Sequence, residues 1–270
     1  MKRLLPVIFA GCALPAAAQD KFTLQLNWFH LADHSPIYMA LKKGYYKQEN
    51  IDLTVVRGSG SADSAKKVDV KQAGLGISDA PTVITAISKG ADLRMVAVVF
   101  DKAGNNAFFK KSANIRSPRD LVGKKIAVPP ADSHRVLWPA FAAINKLDAE
   151  GVTLVNVKPE GKQAIVAGGD VDAAFDLYTS YAIWEKVLGK GNVGHLLWAD
   201  YGLPIYGHTY FVNRELEKKN PKLIERFLRA THQGDDLSVR DHAEEAKRGA
   251  ETGCGDLRPK LIQQPGIARV

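Results

Sequence analysis

An aromatic and polar cluster, NWFHLADHSPIYMALKKGYY, follows the first strand pattern of the chain at 27–46. Within this segment Trp28, His34 and Tyr38 could offer flat apolar faces and hydrogen-bond donors to a planar ligand. The same rings could instead pack as core at the end of a sheet, because aromatic side chains are often buried. The residue types alone leave both interpretations open.

A turn of glycine and serine, from Gly58 to Ser61, is a second candidate for ligand contact. The backbone N–H groups around Gly60 and the hydroxyl of Ser61 stand at a predicted helix start, where they would suit a carboxylate, sulfonate, phosphate or ring nitrogen. The turn lacks the P-loop lysine and the full dinucleotide fingerprint, so it does not predict a nucleotide. A plain flexible turn is the alternative interpretation.

Further polar and aromatic side chains stand at other strand ends and helix starts, namely Asp79, Ser133, Asp176 and Tyr206. Asp79, like the Asp132 that precedes Ser133, stands where a helix N-cap would stand, and capping alone would explain an aspartate there. The functional alternative is that Asp79 or Ser133 also reaches into a cleft. Asp176 could accept a hydrogen bond from a ligand amine, and Tyr206 comes just before the predicted hinge.

Signals of catalysis or metal binding are weak in this chain. It has no Gly-x-Ser-x-Gly elbow, no His-Glu-x-x-His motif and no cysteine in a setting typical of a nucleophile. Of the seven histidines, only His30 and His34 have a spacing that metal ligands use. We therefore predict no catalytic residue, no metal ion and no cofactor.

The charge of the chain is mildly basic, with 37 Lys and Arg against 29 Asp and Glu. Acidic residues are interspersed with the basic ones along the chain, which is typical of a solvated surface. A nucleic-acid partner is therefore not expected.

The first 18 residues have the pattern of a secretory signal peptide, with a charged start, an apolar run over 4–14 and small residues at 16–18. The apolar run is too short to span a bilayer. Cys12 could belong to a lipoprotein signal, but Phe9 and the short apolar stretch favour soluble export. Cys254 is then the one cysteine of the exported chain, which excludes a disulfide framework.

Strand and helix patterns alternate along most of the chain. The order is β-α-β-α-β over 22–100, and a second set runs over about 110–207. This alternation predicts mostly parallel sheets covered by helices. A strand at 208–212 and a long helix from Glu215 to about His232 follow. Ligands of open parallel sheets lie beyond the carboxyl ends of the strands, where the turns described above are expected to lie.

Four segments carry a family pattern: LNWFHLADHSPIYMALKKGYYKQENIDLTV, GSGSADSAKKVDVKQAGLGISDAPTVITAISKG, SPRDLVGKKIAVPPADSHR and GHTYFVNRELEKKNPKLIERFLRAT. In these segments the chain resembles the periplasmic binding proteins related to thiamine-pyrimidine synthase, close to the sulfonate- and taurine-type binding proteins of ABC importers. The resemblance covers about 22–233. Pro36 stands where the family usually has glycine.

The resemblance implies an α/β fold of the type II periplasmic binding proteins, in which the chain crosses twice between two lobes. Each lobe would be a mostly parallel sheet flanked by helices, with crossings near 108–110 and 207–209. Lobe 1 would then comprise 19–108 and 209–270, and lobe 2 would comprise 109–208.

The function implied by the resemblance is that of a solute-binding protein in the periplasm. It would be a monomer, capture a small planar or anionic metabolite, and deliver it to the membrane permease of an ABC importer. A thiamine-precursor pyrimidine fits the Trp-His-Tyr block, and an organosulfonate fits the Gly-Ser-Gly-Ser turn. The implied ligand contacts are Trp28, His34, Tyr38, Gly60, Ser61 and Asp79 from one lobe and Ser133, Asp176 and Tyr206 from the other.

The chain departs from the family in two respects. The synthase branch carries a cysteine-rich iron motif and makes its pyrimidine from its own histidine and pyridoxal phosphate. This chain has no such cysteines after the signal, which favours a binding protein over a synthase, although His34 lies in the shared motif. The segment 235–270 is polar and broken by glycine and proline, unlike the helices that usually follow in the family, so we expect a shortened end of lobe 1.

Overall fold

The computed structural model describes residues 18–251, and their side chains up to residue 238. The predicted signal peptide, apart from its last residue, lies outside the described residues. Cys12 and Cys254 lie outside them as well. In the part that is described, no helix combines the length and the apolar character that crossing a membrane requires.

Ten strands form two five-stranded sheets within residues 18–251. In chain order the strands are β1 (Asp20–Gln25), β2 (Ile51–Val56), β3 (Leu75–Asp79), β4 (Leu93–Val98), β5 (Asn105–Lys110), β6 (Lys125–Ala127), β7 (Thr153–Val155), β8 (Ala173–Leu177), β9 (Val193–Leu197) and β10 (His208–Asn213). The helices are α1 (Ser35–Lys42), α2 (Tyr45–Gln48), α3 (Ser61–Asp69), α4 (Ala80–Ser88), α5 (Ser133–Ile144), α6 (Lys162–Gly168), α7 (Tyr181–Leu188), α8 (Arg214–Lys219) and α9 (Pro221–Glu251).

The two sheets share one topological plan. The first has the strand order β2-β1-β3-β10-β4, and the second has the order β7-β6-β8-β5-β9. In each sheet four strands run in one direction and one strand opposes them, β10 in the first sheet and β5 in the second. The opposing strand is the first that the chain forms after it arrives from the other sheet. The predicted fold class, mostly parallel sheets flanked by helices, is confirmed.

The chain passes from the first sheet to the second between β4 and β5, and it returns between β9 and β10. Residues 108–110, where the first crossing was expected, are the second half of β5. They already pair with β8 and β9, so the crossing itself lies earlier, between Val98 and Asn105. The return ends at His208, within the expected 207–209.

The single helix expected from Glu215 to about His232 is two helices in the structure. α8 ends at Lys219 and α9 begins at Pro221. Proline has no N–H to donate and its fixed backbone angle suits a first helical turn, so it starts a new helix and does not continue the old one.

α9 also extends beyond the expected end, to Glu251. Gly234, one residue before the segment that was expected to be broken, lies inside the helix at its contact with α1. A Cβ on Gly234 would stand 2.1 Å from the carbonyl oxygen of Pro36. The glycine therefore permits the two helices to pack closely, and it does not end α9.

Each sheet has its own apolar core. In the first, the ring of Phe227 on α9 packs on Phe22 of β1 and Tyr46 of α2, with ring centroids 5.7 and 5.5 Å apart. In the second, Phe108 of β5 stacks on Trp184 of α7 at 5.1 Å. These cores fix the strands, and thereby the turns at their ends.

Candidate functional site

A polar cleft lies between the two sheets, beside the turns that follow β1, β2, β6 and β8. About 390 Å³ between its walls is free of protein atoms, a volume that includes space open to solvent. The first wall, from the side of the first sheet, consists of Asn27, Trp28, Leu31, Asp33, Ser61 and His208. The second wall, from the side of the second sheet, consists of Asp132, Ser133, His134, Lys162, Asp176, Leu177 and Ser180.

A directed chain of hydrogen bonds supports the first wall. The backbone N–H of Leu31 donates to His34 Nδ1 at 3.4 Å, so neutral His34 carries its proton on Nε2. That Nε2 donates to Asn27 Oδ1 at 3.0 Å, and Asn27 Nδ2 donates to His208 Nε2 at 3.0 Å. The same direction places the proton of neutral His208 on Nδ1.

His34 is a buried, neutral member of this chain. Its side chain has no exposed surface. Burial is the largest influence on its pKa and lowers it to about 4, while the nearby charge of Asp33 acts in the opposite direction. His34 therefore orients Asn27 from behind the wall, and it is not part of the cleft lining.

Asp33 is a buried carboxyl group with unused hydrogen-bonding capacity. Its side chain is 2% exposed and lines the cleft. Oδ1 has no hydrogen-bond partner among the described residues, and the same is true of His208 Nδ1. The nearest imidazole nitrogens are His34 Nδ1 at 3.6 Å and His208 Nδ1 at 3.8 Å, beyond hydrogen-bonding distance. Buried polar atoms are normally paired, so this corner of the first wall is incomplete.

Lys162 is the centre of the second wall. Its side chain is 2% exposed, and its Nζ donates to Asp176 Oδ1 at 2.9 Å and to the carbonyl oxygen of Phe175 at 3.0 Å. Asp132 Oδ2 lies 3.5 Å away. The second oxygen of Asp176 accepts from Trp184 Nε1 at 3.0 Å. This buried cation is thus held by two carboxylates and a backbone carbonyl.

Asp132 links α5 to this network. It caps the helix by accepting from the N–H of His134 at 3.0 Å, and its Oδ1 lies 2.6 Å from His134 Nδ1. Burial alone would raise the pKa of Asp132, but the charges of His134 and Lys162 and the hydrogen bonds from His134 outweigh it and lower that pKa below its ordinary value. Asp132 is therefore an ionised carboxylate at neutral pH.

Trp28 is the point where the two walls meet. Lys162 Nζ lies 4.5 Å from the centroid of the indole ring, a distance typical of a cation–π contact. The ammonium group therefore covers one face of the indole. A planar ligand that stacked on this face would have to displace the ammonium from the ring.

Two further contacts join the sheets at the edge of the cleft. The N–H of Ala62 donates to the carbonyl oxygen of Ala131 at 3.2 Å. Beside it, Gly60 has φ +147°, and a Cβ there would stand 2.3 Å from the same oxygen, so this approach requires glycine. Arg57 and Glu160 form an exposed ion pair across the gap.

Four of the predicted ligand residues are brought together in the cleft: Trp28, Ser61, Ser133 and Asp176. The other predicted residues are not part of the lining. His34 supports Asn27 from behind, and Gly60 makes the backbone approach to Ala131.

Tyr38, Asp79 and Tyr206 are the remaining predicted positions outside the lining. The hydroxyl of Tyr38 is hydrogen-bonded to His30. Asp79 caps α4, because its Oδ1 accepts from the N–H of Thr82 at 3.0 Å and from its hydroxyl at 2.9 Å. Tyr206 is 61% exposed on the returning crossover.

The sequence did not single out several lining residues as ligand contacts: Asn27, Leu31, Asp33, Asp132, His134, Lys162, Leu177, Ser180 and His208. Asn27 and Asp33 lie inside the first family segment, so that segment carried a signal for them. Lys162 carried none, because a lysine at the start of a short helix is ordinarily solvated. In the part of the chain that the structure describes, no three His, Cys, Asp or Glu side chains are grouped as metal ligands would be.

Two relatives illustrate which known proteins this chain is similar to in sequence. The chain is 26% identical over 267 residues to the formylaminopyrimidine-binding protein of Halalkalibacterium halodurans. The alignment covers 97% of this chain and 80% of that protein. It is 23% identical over 225 residues to a 4-amino-5-hydroxymethyl-2-methylpyrimidine phosphate synthase of Legionella pneumophila, with coverage of 81% and 69%.

A similar solved structure is the alkanesulfonate-binding protein SsuA from Xanthomonas axonopodis pv. citri, bound to MOPS. It superposes with a TM-score of 0.69 at 21% identity and covers 91% of this chain and 83% of that chain. At this identity the likeness shows the fold, that of the periplasmic binding proteins. Residues 31–246 match the model of the family described as NMT1/THI5 like. Since the match spans most of the sequence, the chain belongs to the NMT1/THI5-like family.

Proposed function

We propose that the protein is the solute-binding component of an ABC importer, exported to the periplasm, where it captures a thiamine-precursor pyrimidine between two lobes. Each lobe would be one sheet with its helices, and the captured ligand would pass to a membrane permease. The observation that carries the proposal is the indole face of Trp28, placed in a polar cleft between the two sheets.

The residues around Trp28 suit a small heteroaromatic ring. The indole can stack on a planar ligand, which contributes about 0.5–1.5 kcal/mol beyond the burial of area. Asn27, Asp33, Ser61 and Ser133 offer hydrogen-bonding groups around the same space. A ring that enters takes the place of Lys162 on the indole, while the ammonium can keep its 2.9 Å contact with Asp176. The name of the Halalkalibacterium relative, a formylaminopyrimidine-binding protein, supports the same ligand class.

An organosulfonate is the second candidate ligand. It is favoured by the Gly-Ser-Gly-Ser turn at the start of α3 and by the likeness to an alkanesulfonate-binding protein. The starts of two other helices on this side of the sheets do not favour an organosulfonate. Asp132 caps α5 and Asp79 caps α4, so the chain's own carboxylates already accept from N–H groups that an anion would use.

Synthase activity is the alternative function, supported by relatives that carry that name. It would consume a histidine of the chain, and His34 lies in the shared segment. His34 is neutral, fully buried and hydrogen-bonded at both ring nitrogens, which favours a structural role. Intact-mass measurement after incubation with pyridoxal phosphate and iron tests this alternative. A loss of mass from a histidine would establish the enzyme, and an unchanged mass supports binding.

Thermal-shift and calorimetric titrations with thiamine-precursor pyrimidines and with alkanesulfonates test the binding function. We expect the pyrimidines to raise the melting temperature. Trp28→Leu should weaken their binding by about ten-fold, because stacking and burial are both lost. Tyr206→Leu, an exposed aromatic outside the lining, is the matched control and should bind normally. Stabilisation by sulfonates alone would transfer the assignment to them, and stabilisation only by another class would refute both.

A further inference from the structure

The side chain of Asp33 is buried in the cleft, yet one of its oxygens has no hydrogen-bond partner among the described residues. We infer that Asp33 determines specificity: the ligand presents a cationic or N–H-donating nitrogen edge to it, such as the amidinium edge of a protonated aminoheterocycle, and anionic ligands are excluded. The inference rests on the proposed binding function and concerns the same cleft.

Asp33 has few hydrogen-bond donors near it among the described residues. Oδ1 has no partner in the described part of the chain, and Oδ2 is 3.8 Å from His208 Nδ1. His34 Nδ1, at 3.6 Å, accepts from the backbone N–H of Leu31 and has no proton to offer. A carboxylate this deeply buried needs donors to offset its desolvation. Among the described residues, Oδ1 therefore lacks a donor, and Oδ2 has no histidine nitrogen within hydrogen-bonding distance.

The cleft is lined by several ionisable side chains. Its lining contains three carboxylates, Asp33, Asp132 and Asp176, one ammonium group, that of Lys162, and the imidazoles of His134 and His208. Lys162 lies within 3.5 Å of Asp132 and Asp176, so its charge is compensated within the second wall. A sulfonate or phosphate placed beside Asp33 would meet uncompensated negative charge in a site largely shielded from water. A cation placed beside Asp33 would instead be attracted by that negative charge.

Two imidazoles lie near Asp33, those of His34 and His208. Burial keeps His34 neutral, as its pKa of about 4 indicates. His208 is the other, and a proton added to it would form an ion pair with Asp33 at the present 3.8 Å. If His208 were protonated in this way, it would compensate Asp33, and the ligand would not need to carry a positive charge. The charge of Asp33 is also a minor influence on the Tyr210 hydroxyl, whose pKa is raised chiefly by burial, so that hydroxyl stays neutral.

The chemical class follows from the two oxygens and the adjacent indole. An amino group beside a protonated ring nitrogen presents two N–H donors in one plane, which matches a carboxylate in a bidentate arrangement. The same planar ring can stack on Trp28. A phosphate ester of the same heterocycle would carry negative charge into the cleft and should be rejected.

Calorimetric titration of the full protein at neutral pH tests the inference with three probes. These are 4-amino-5-hydroxymethyl-2-methylpyrimidine, its analogue without the amino group, and its phosphate ester. The wild type should bind the amino compound at least about ten-fold more tightly than either other probe, the value of one charged hydrogen bond. Asp33→Asn should abolish that preference. Asp79→Asn, which preserves a helix cap outside the lining, should retain it.

The outcomes separate the two proposals. If the wild type binds none of the pyrimidines, the proposed function fails. If it binds the amino compound and its analogue equally, or the phosphate ester as tightly, or if Asp33→Asn keeps the preference, the role of Asp33 is overturned and pyrimidine binding stands. Without ligand, Asp33→Asn should melt at the same or a higher temperature. A clear fall would instead indicate that Asp33 is paired with a protonated His208, which also overturns the inference.

Discussion

The two walls of the cleft contain the same kinds of groups and satisfy them differently. In the second wall the carboxylates of Asp132 and Asp176 are paired with Lys162 and receive further hydrogen bonds from the chain. In the first wall, Asp33 and His208 each retain a buried atom with no partner in the described residues. Within the described residues, the buried carboxylates of the second wall have their hydrogen-bond and ion-pair partners without a ligand, and the carboxylate of the first wall does not.

This difference suggests that the second wall contributes mainly to the stability of the fold and the first wall mainly to ligand recognition. A network whose charges are already compensated gains few new hydrogen bonds from a ligand. A carboxyl group that lacks donors gains the most when a ligand supplies them. Substitutions in the second wall should therefore act mainly on folding, and those in the first wall mainly on binding.

Lys162→Met should have the largest effect on stability. It removes the cation between two buried carboxylates, so the free energy of unfolding should fall by about 3–5 kcal/mol. Urea unfolding at neutral pH measures the change. Lys110→Met is the matched control, because Lys110 makes one hydrogen bond to the carbonyl of Ala167 at 2.7 Å, and its loss should cost about 1 kcal/mol. Equal losses in the two variants would refute a special role for the second wall.

His34 should make the first wall sensitive to mild acid. Its pKa is lowered from 6.5 to about 4 in the folded protein, so between these values the unfolded chain binds more protons. The free energy of unfolding should then fall by about 3 kcal/mol as the pH drops from 6.5 to 4, and above pH 6.5 this contribution is complete.

The control for this pH dependence is His34→Gln, which keeps a donor toward Asn27 and cannot titrate in this range. Its unfolding free energy should depend less on pH over the same interval, as measured by urea unfolding at several pH values. The lowered pKa of Asp132 in the second wall contributes stability above about pH 4 that is lost only in stronger acid. Parallel pH profiles for the wild type and the variant would contradict this account of His34.

Trp184→Phe should have an intermediate effect, through the hydrogen bond from Nε1 to Asp176 at 3.0 Å. Trp198→Phe is a close control, because Trp198 is equally buried and its Nε1 has no partner among the described residues. Both variants lose a similar ring volume. Trp184→Phe should therefore be less stable by about 2 kcal/mol, the value of a hydrogen bond to a charged group. Equal stabilities would show that Asp176 does not depend on this donor.

Features of the fold that depend on residues close together in sequence could be predicted from the sequence. Asp79 and Asp132 were interpreted as helix caps, and each accepts from the N–H of its helix. The alternation of strands and helices likewise gave two mostly parallel sheets. The insertion of β10 between β3 and β4 has no local signal, because it depends on pairing between strands far apart in sequence.

The candidate site was only partly predictable for the same reason. Trp28, Ser61, Ser133 and Asp176 were found because strand ends converge, and that convergence follows from the predicted topology. The burial of Lys162 depends on Asp132, Asp176 and Trp28, which reach it from three other segments of the chain. No property of the residues beside Lys162 in sequence indicates that enclosure.

The smallest effect is expected from the contact that joins the two sheets at the surface. Arg57 and Glu160 have side chains that are 51% and 52% exposed, so Arg57→Gln should change the free energy of unfolding by less than about 1 kcal/mol. That small change should disappear at high salt, because exposed charges are screened. Exchanging the two residues, as Arg57→Glu with Glu160→Arg, restores an ion pair of opposite direction and should recover the low-salt stability. A large loss that persists in salt would mean that this edge, and not the buried second wall, holds the cleft closed.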